Sequence, residues 1–110
     1  MASATKTVSN VEIRNTVLQS GTSVASADPR FTVSARHDED AVVDATLYGS
    51  DDTDFAKKWT LDTFVLEDTT AGNDKQFRDS YEFPYAFLRV DVQARTTPTA
   101  GDIDVWIQQA

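Results

Sequence analysis

From Ala86 to Ala94 the apolar residues fall at every second position. Ala86, Leu88, Val90, Val92 and Ala94 alternate with Phe87, Arg89, Asp91 and Gln93. A period of two sends the two sets to opposite sides of an extended chain, so this run predicts a β-strand with one face in a core. The same period recurs in Phe31, Val33 and Ala35, in Val43, Ala45 and Leu47, and in Ile103, Val105 and Ile107. Weaker versions start at Val11 (with Ile13 and Val17) and at Phe77 (with Tyr81 and Phe83). Asp28-Pro29, Gly49, the loop Thr69–Asp74 with Ala71-Gly72-Asn73, and Pro98 to Gly101 separate the runs with turn chemistry. No window carries apolar residues at i, i+3 and i+4 with caps, and parallel βαβ units need helices for which there is no room. The expectation is an all-β chain of about seven to eight short strands, folded as an antiparallel β-sandwich or jelly-roll-like domain.

The run Trp59–Leu66 is less clean. Trp59, Leu61, Thr63 and Val65 lie on one side and Phe64 and Leu66 on the other, so both faces are expected to be covered, or one to carry an interface. The chain of 110 residues suits one domain, assigned to residues 11–110. Residues 1–10 are Ser/Thr/Ala-rich without period and read as a polar N-terminal arm that orders against a partner.

Charge narrows the function. The net charge is −8, and fourteen of the eighteen acids are Asp. That opposes binding to a phosphate backbone and predicts no nucleic-acid partner. Asp38-Glu39-Asp40, Asp51-Asp52-Thr53-Asp54 and the pair Asp102 and Asp104 concentrate the acid in turns. With only four Lys, the pattern fits a surface for molar salt, where a Debye length of about 3 Å screens carboxylate repulsion. Apolar runs are short, three residues in Phe64-Val65-Leu66 and four in Tyr85-Ala86-Phe87-Leu88, so no membrane span is expected, and the first twenty residues lack the apolar core of a secretory signal.

Catalytic chemistry finds little footing. There is no Cys, and the single histidine, His37, stands in an acidic turn with no nucleophile-elbow sequence to accompany it. It reads as a surface residue; a small hydrolase would have to depend on it. The four glycines are isolated, so no phosphate-cradling loop exists. The expectation is a protein that is not an enzyme and has no organic cofactor. Asp51, Asp52 and Asp54 lack the glycine and closing Glu of an EF-hand. They are retained only as candidate oxygen ligands for a weakly held Ca²⁺, Mg²⁺ or Na⁺, with solvated loop carboxylates as the commoner arrangement.

Aromatic residues opposite the aliphatic stripes point to surfaces that meet something. Phe87 and Trp106 fall on the non-core side of two strands expected to pair as a hairpin, and Phe64 on the second face of its strand. Aromatic anchors of this kind mark protein interfaces, so Phe64, Phe87 and Trp106 are the candidate interface residues.

The stretch Ala45 to Gln108 carries a recognisable order of motifs. Leu47-Tyr48-Gly49-Ser50-Asp51 is followed by Trp59-Thr60-Leu61, by Tyr85-Ala86-Phe87-Leu88-Arg89-Val90-Asp91-Val92, by Gly101, and by Asp102-Ile103-Asp104-Val105-Trp106-Ile107. In this order it resembles small β-sandwich structural proteins of tailed phages and tailed archaeal viruses. The resemblance implies a virion protein: a capsid decoration, turret or tail component that contacts copies of itself and other virion proteins such as the major capsid protein. It carries over no catalytic residue. The Asp-rich surface departs from the bacterial pattern and points to a haloarchaeal host. Similar strand sets occur in carbohydrate-binding sandwiches, so the alternative is a sugar- or surface-binding module that stacks its ligand on Trp59, Trp106 or Tyr81.

Overall fold

A computed structural model describes residues 4–67, 69–72 and 75–109. Met1 to Ser3 of the expected arm, and Asn73 and Asp74 of the expected loop, lie outside the described residues. The chain is all-β, and its strands form two antiparallel sheets packed face to face. The strands are β1 (Ala4–Val11), β2 (Gln19–Ser20), β3 (Val24–Ala25), β4 (Arg30–His37), β5 (Val43–Ser50), β6 (Trp59–Leu66), β7 (Lys75–Glu82), β8 (Phe87–Ala94) and β9 (Ile103–Gln109). Sheet A has the order β1-β9-β4-β7; sheet B has β2-β8-β5-β6, with β3 also paired to β8.

The alternating residues do what the period of two demands. Val33, Val43, Leu47, Leu88, Val90, Val92, Ile103, Val105 and Ile107 are fully buried between the sheets. Two turns lock one end of the sandwich. Asp102 N–H donates to Asp38 Oδ1 at 2.8 Å, and Thr99 N–H donates to Asp40 Oδ1 at 2.7 Å. Gly101 makes that approach possible: its φ is +100°, and a Cβ there would lie 2.3 Å from the Asp38 carbonyl oxygen.

Several expectations are corrected. The segment read as a polar arm is, from Ala4, the edge strand β1, paired antiparallel with β9 and burying Thr7 and Val8. Its polar residues conceal a strand because an edge strand needs few inward side chains. Two register shifts interrupt its pairing and erase the period. The alternation that starts at Val11 is not a strand: Val11 ends β1, Ile13 is buried in the following loop, and Val17 is 62% exposed. His37 is no surface residue. It closes β4 on the inward side of the strand and is fully buried, with Nδ1 accepting the Glu39 N–H at 3.1 Å and Nε2 3.4 Å from the Leu66 carbonyl oxygen. The expected β8–β9 hairpin does not form either, because β8 belongs to sheet B and β9 to sheet A. A sandwich buries one face of every strand in either sheet, so alternation alone cannot assign the sheet.

Candidate functional site

The outer face of sheet A carries the most elaborate polar surface. Strand β4 buries Phe31, Val33, Ala35 and His37 and turns Thr32, Ser34 and Arg36 outward. It lies between β9 and β7. The register sets Ser34 between Trp106 and Arg78, Thr32 between Gln108 and Ser80, and Arg36 between Asp104 and Gln76. Small hydroxyl residues therefore floor a trough whose walls are an indole on one side and a guanidinium on the other. Flanking strands two ladder spacings apart put the walls about 10 Å from each other. Two depressions lie along it. One of about 430 Å³ is lined by Arg30, Thr32, Arg78, Ser80, Gln108 and, opposite Arg30, the carboxylate of Glu82; the other, of about 340 Å³, is lined by Ser34, Arg36, Gln76, Arg78 and Trp106. Arg78 lines both.

The trough walls are braced from behind. Lys6 Nζ sits 5.4 Å from the Trp106 ring centroid and 3.0 Å from Asp104 Oδ1. Arg36 reaches Asp104 at 2.7 Å, Asp102 at 3.6 Å and Asp38 at 4.0 Å. Burial alone would raise the Asp104 pKa, but hydrogen bonds from Asn10 N–H, Lys6 and Arg36 hold the carboxyl below its ordinary value. Asp102 moves the other way, pushed up first by burial and then by the nearby Asp38 charge.

The residues singled out in the sequence do not converge. Phe64 is 7% exposed and belongs to the core: its ring stacks on Phe77 across the two sheets, with centroids 3.8 Å apart and planes 5° from parallel. That removes it from any free surface of the folded chain. A register shift opposite Leu47 and Tyr48 leaves Leu61 as the extra residue of β6, so Leu61 also packs on the core, while Val65 remains 38% exposed. Phe87 is half-buried on the outer face of sheet B and Trp106 half-buried on the outer face of sheet A, so the two stand on opposite sides of the sandwich.

The loop carboxylates divide their attention as well. Asp51 accepts the Ala86 N–H at 3.0 Å, Asp52 the Lys57 N–H at 3.2 Å and Asp54 the Ala56 N–H at 3.1 Å. Each caps a different backbone group and so shapes the loop. Among the described residues, no group of three or more His, Asp or Glu is arranged to hold a metal ion.

The three aromatics considered as stacking platforms also differ. Tyr81 stacks on Phe31 at 5.6 Å and donates its hydroxyl to Asp62 at 2.6 Å, so it seals the sandwich edge. Burial first, then the Asp62 hydrogen bond, pushes its pKa above the ordinary phenol value. Trp59 is 51% exposed and stacks on Tyr85 at 5.6 Å, away from the trough. Gly49 seats that pair, since a Cβ there would meet the Tyr85 ring at 2.5 Å. Trp106 lines the smaller depression of the trough from an outward position of β9, whereas Tyr81 borders the larger one from an inward position of β7, held by Phe31 and Asp62. Sequence reasoning missed Arg78, Gln76, Ser34 and Gln108. Their outward parity was available, but not the neighbour relation of β7, β4 and β9 that gathers them.

No family model matches this sequence, and no curated protein matches it at the sequence level. Solved structures do share its fold. The PBSX exported protein XepA overlaps 96% of this chain at a TM-score of 0.69 and 13% identity; this chain spans 36% of XepA. A structure of infectious bursal disease virus, Gx strain, overlaps 99% of this chain at 0.60 and 9% identity, the match covering 32% of the viral chain. CBM29_1, a family 29 carbohydrate-binding module from Piromyces equi, overlaps 96% of this chain and 90% of its own at 0.51 and 10% identity. At these identities the likeness is one of fold: a β-sandwich that occurs in a virus and in a carbohydrate-binding module.

Proposed function

We propose that this chain is a non-catalytic structural subunit of a tailed virus particle, a capsid decoration or turret protein that assembles with copies of itself and docks on the major capsid protein. The observation that carries the reading is the overlap of nearly the whole chain with XepA, joined by the overlap with infectious bursal disease virus. The geometry adds a reason. Phe87 and Trp106 occupy opposite faces of a slab 18 Å in its shortest dimension, so one face can meet a copy while the other meets a different surface. The Asp-rich turns suit a particle that works in molar salt, as one from a haloarchaeal host does. Phe87→Arg tests the contact, because it places a charge on an outward position of sheet B. Sedimentation in molar NaCl is expected to show a smaller species than the wild type at an unchanged melting midpoint; an unchanged mass removes Phe87 from the contact.

A second reading, a sugar- or surface-binding module, has its own observation in the sheet A trough. An indole wall, amide and guanidinium side chains and a hydroxyl floor are the groups that hold a saccharide. Trp106 is the stacking residue this reading requires. A virion subunit with such a face would attach the particle to a glycan-coated surface.

A further inference from the structure

The chain has six arginines, and five of them are ion-paired in a protein rich in carboxylates. Arg14 pairs with Glu39, Arg30 with Asp28, Arg36 with Asp104, Arg89 with Asp91 and Arg95 with Asp44. Among the described residues Arg78 has no ion-pair partner, and it is the arginine that lines both depressions of the trough. Every other guanidinium has been given an internal carboxylate; this one faces an open groove across a serine from an indole. We propose that the trough binds an acidic polysaccharide, with a sugar carboxylate on the Arg78 guanidinium and the face of a neighbouring ring on Trp106.

The chemistry of the lining favours this occupant over a neutral chain or a protein surface. A guanidinium takes a carboxylate through two parallel N–H···O bonds, and its fork geometry suits a planar anion. Gln76 and Gln108 can donate to and accept from ring hydroxyls, and Thr32, Ser34 and Ser80 add hydroxyls along the floor. Thr32 and Ser80 already share a hydrogen bond of 3.0 Å, which fixes the spacing of the floor at one end. Apart from Trp106, the apolar residues that border the depressions, Phe31, Ala35, Phe77 and Tyr81, are packed into the core, which leaves a protein partner little apolar surface to bury. Strand β4 runs about 26 Å, long enough for several sugar rings along the groove. The net charge of −8 opposes an anionic polymer at long range, but in molar salt the screening length is about 3 Å and only contact groups count.

This inference rests on the glycan reading of the trough, and the experiment separates the two. Polygalacturonate, alginate and hyaluronate are titrated into the protein by calorimetry in molar NaCl, beside methyl-esterified galacturonan and xylan as uncharged controls. Binding of an acidic polymer is expected, weakened roughly fivefold or more by Arg78→Gln and lost with Trp106→Ala, both variants retaining a wild-type β circular dichroism spectrum. Acidic and esterified galacturonan bound equally well, with no effect of Arg78→Gln, would overturn the acidic assignment and leave the glycan reading standing. Heat from none of the five polymers would overturn both.

Discussion

Truncating Phe64 distinguishes a core residue from an interface residue. Its ring is 7% exposed and lies flat on Phe77, joining the edge strands of the two sheets. Phe→Ala in a core costs about 3–5 kcal/mol through lost transfer energy and the cavity left behind. The β6–β7 seam lies at the side of the sandwich, where neighbouring side chains can close in, so the lower end applies: about 3 kcal/mol. For a domain of this length 1 kcal/mol moves the melting midpoint by about 4 °C, so Phe64→Ala should melt about 12 °C below the wild type. Circular dichroism melts, with Phe64→Leu as a volume-retaining comparison, read this directly. Phe64→Leu should recover more than half of the loss. If Phe64→Ala melted within about 1 kcal/mol of the wild type and instead changed the oligomeric mass, the placement of this ring in the core would be refuted.

Two further outcomes follow from the locked end of the sandwich. Gly101→Ala forces a side chain into left-handed backbone beside the Asp38 carbonyl and should cost about 1–3 kcal/mol in chemical denaturation; a wild-type midpoint would show that the two turns do not approach as described. The Asp40 carboxyl is pulled down to about 2, first by the hydrogen bond from the Thr99 hydroxyl and then by the Thr99 N–H. A carboxyl with a lowered folded pKa contributes stability that is fully present above the ordinary value of 3.8 and is lost as pH falls toward about 2. Asp40→Asn should therefore flatten the decline in melting midpoint between those two pH values, and an identical acid limb would contradict the role given to Asp40.

How far the sequence carries the fold depends on which physical signal is at stake. The strands β4, β5, β8 and β9 were legible because each has one face in the core, and the period of two is the direct imprint of that burial. β1 was not, because an edge strand with two register shifts has no regular period to read. His37 was misplaced because acidic neighbours resemble a solvated turn, whereas its ring is satisfied by backbone groups at the end of an inward stripe. For Phe64, parity was right and the sense of the faces was reversed: Thr63 and Val65, not Phe64, look outward. The trough shows the deeper limit. Trp106 could be found as an outward aromatic, but Arg78 becomes informative only when long-range pairing brings β7 and β9 to the two sides of β4.

The claim that this chain works as an assembled virion subunit in high salt is tested most directly by its mass. Light scattering behind a sizing column, run in molar NaCl and again in dilute buffer, gives that mass under both conditions. A defined oligomer in molar salt that dissociates or unfolds when the salt is removed is the predicted result. A monomer indifferent to salt would contradict the account.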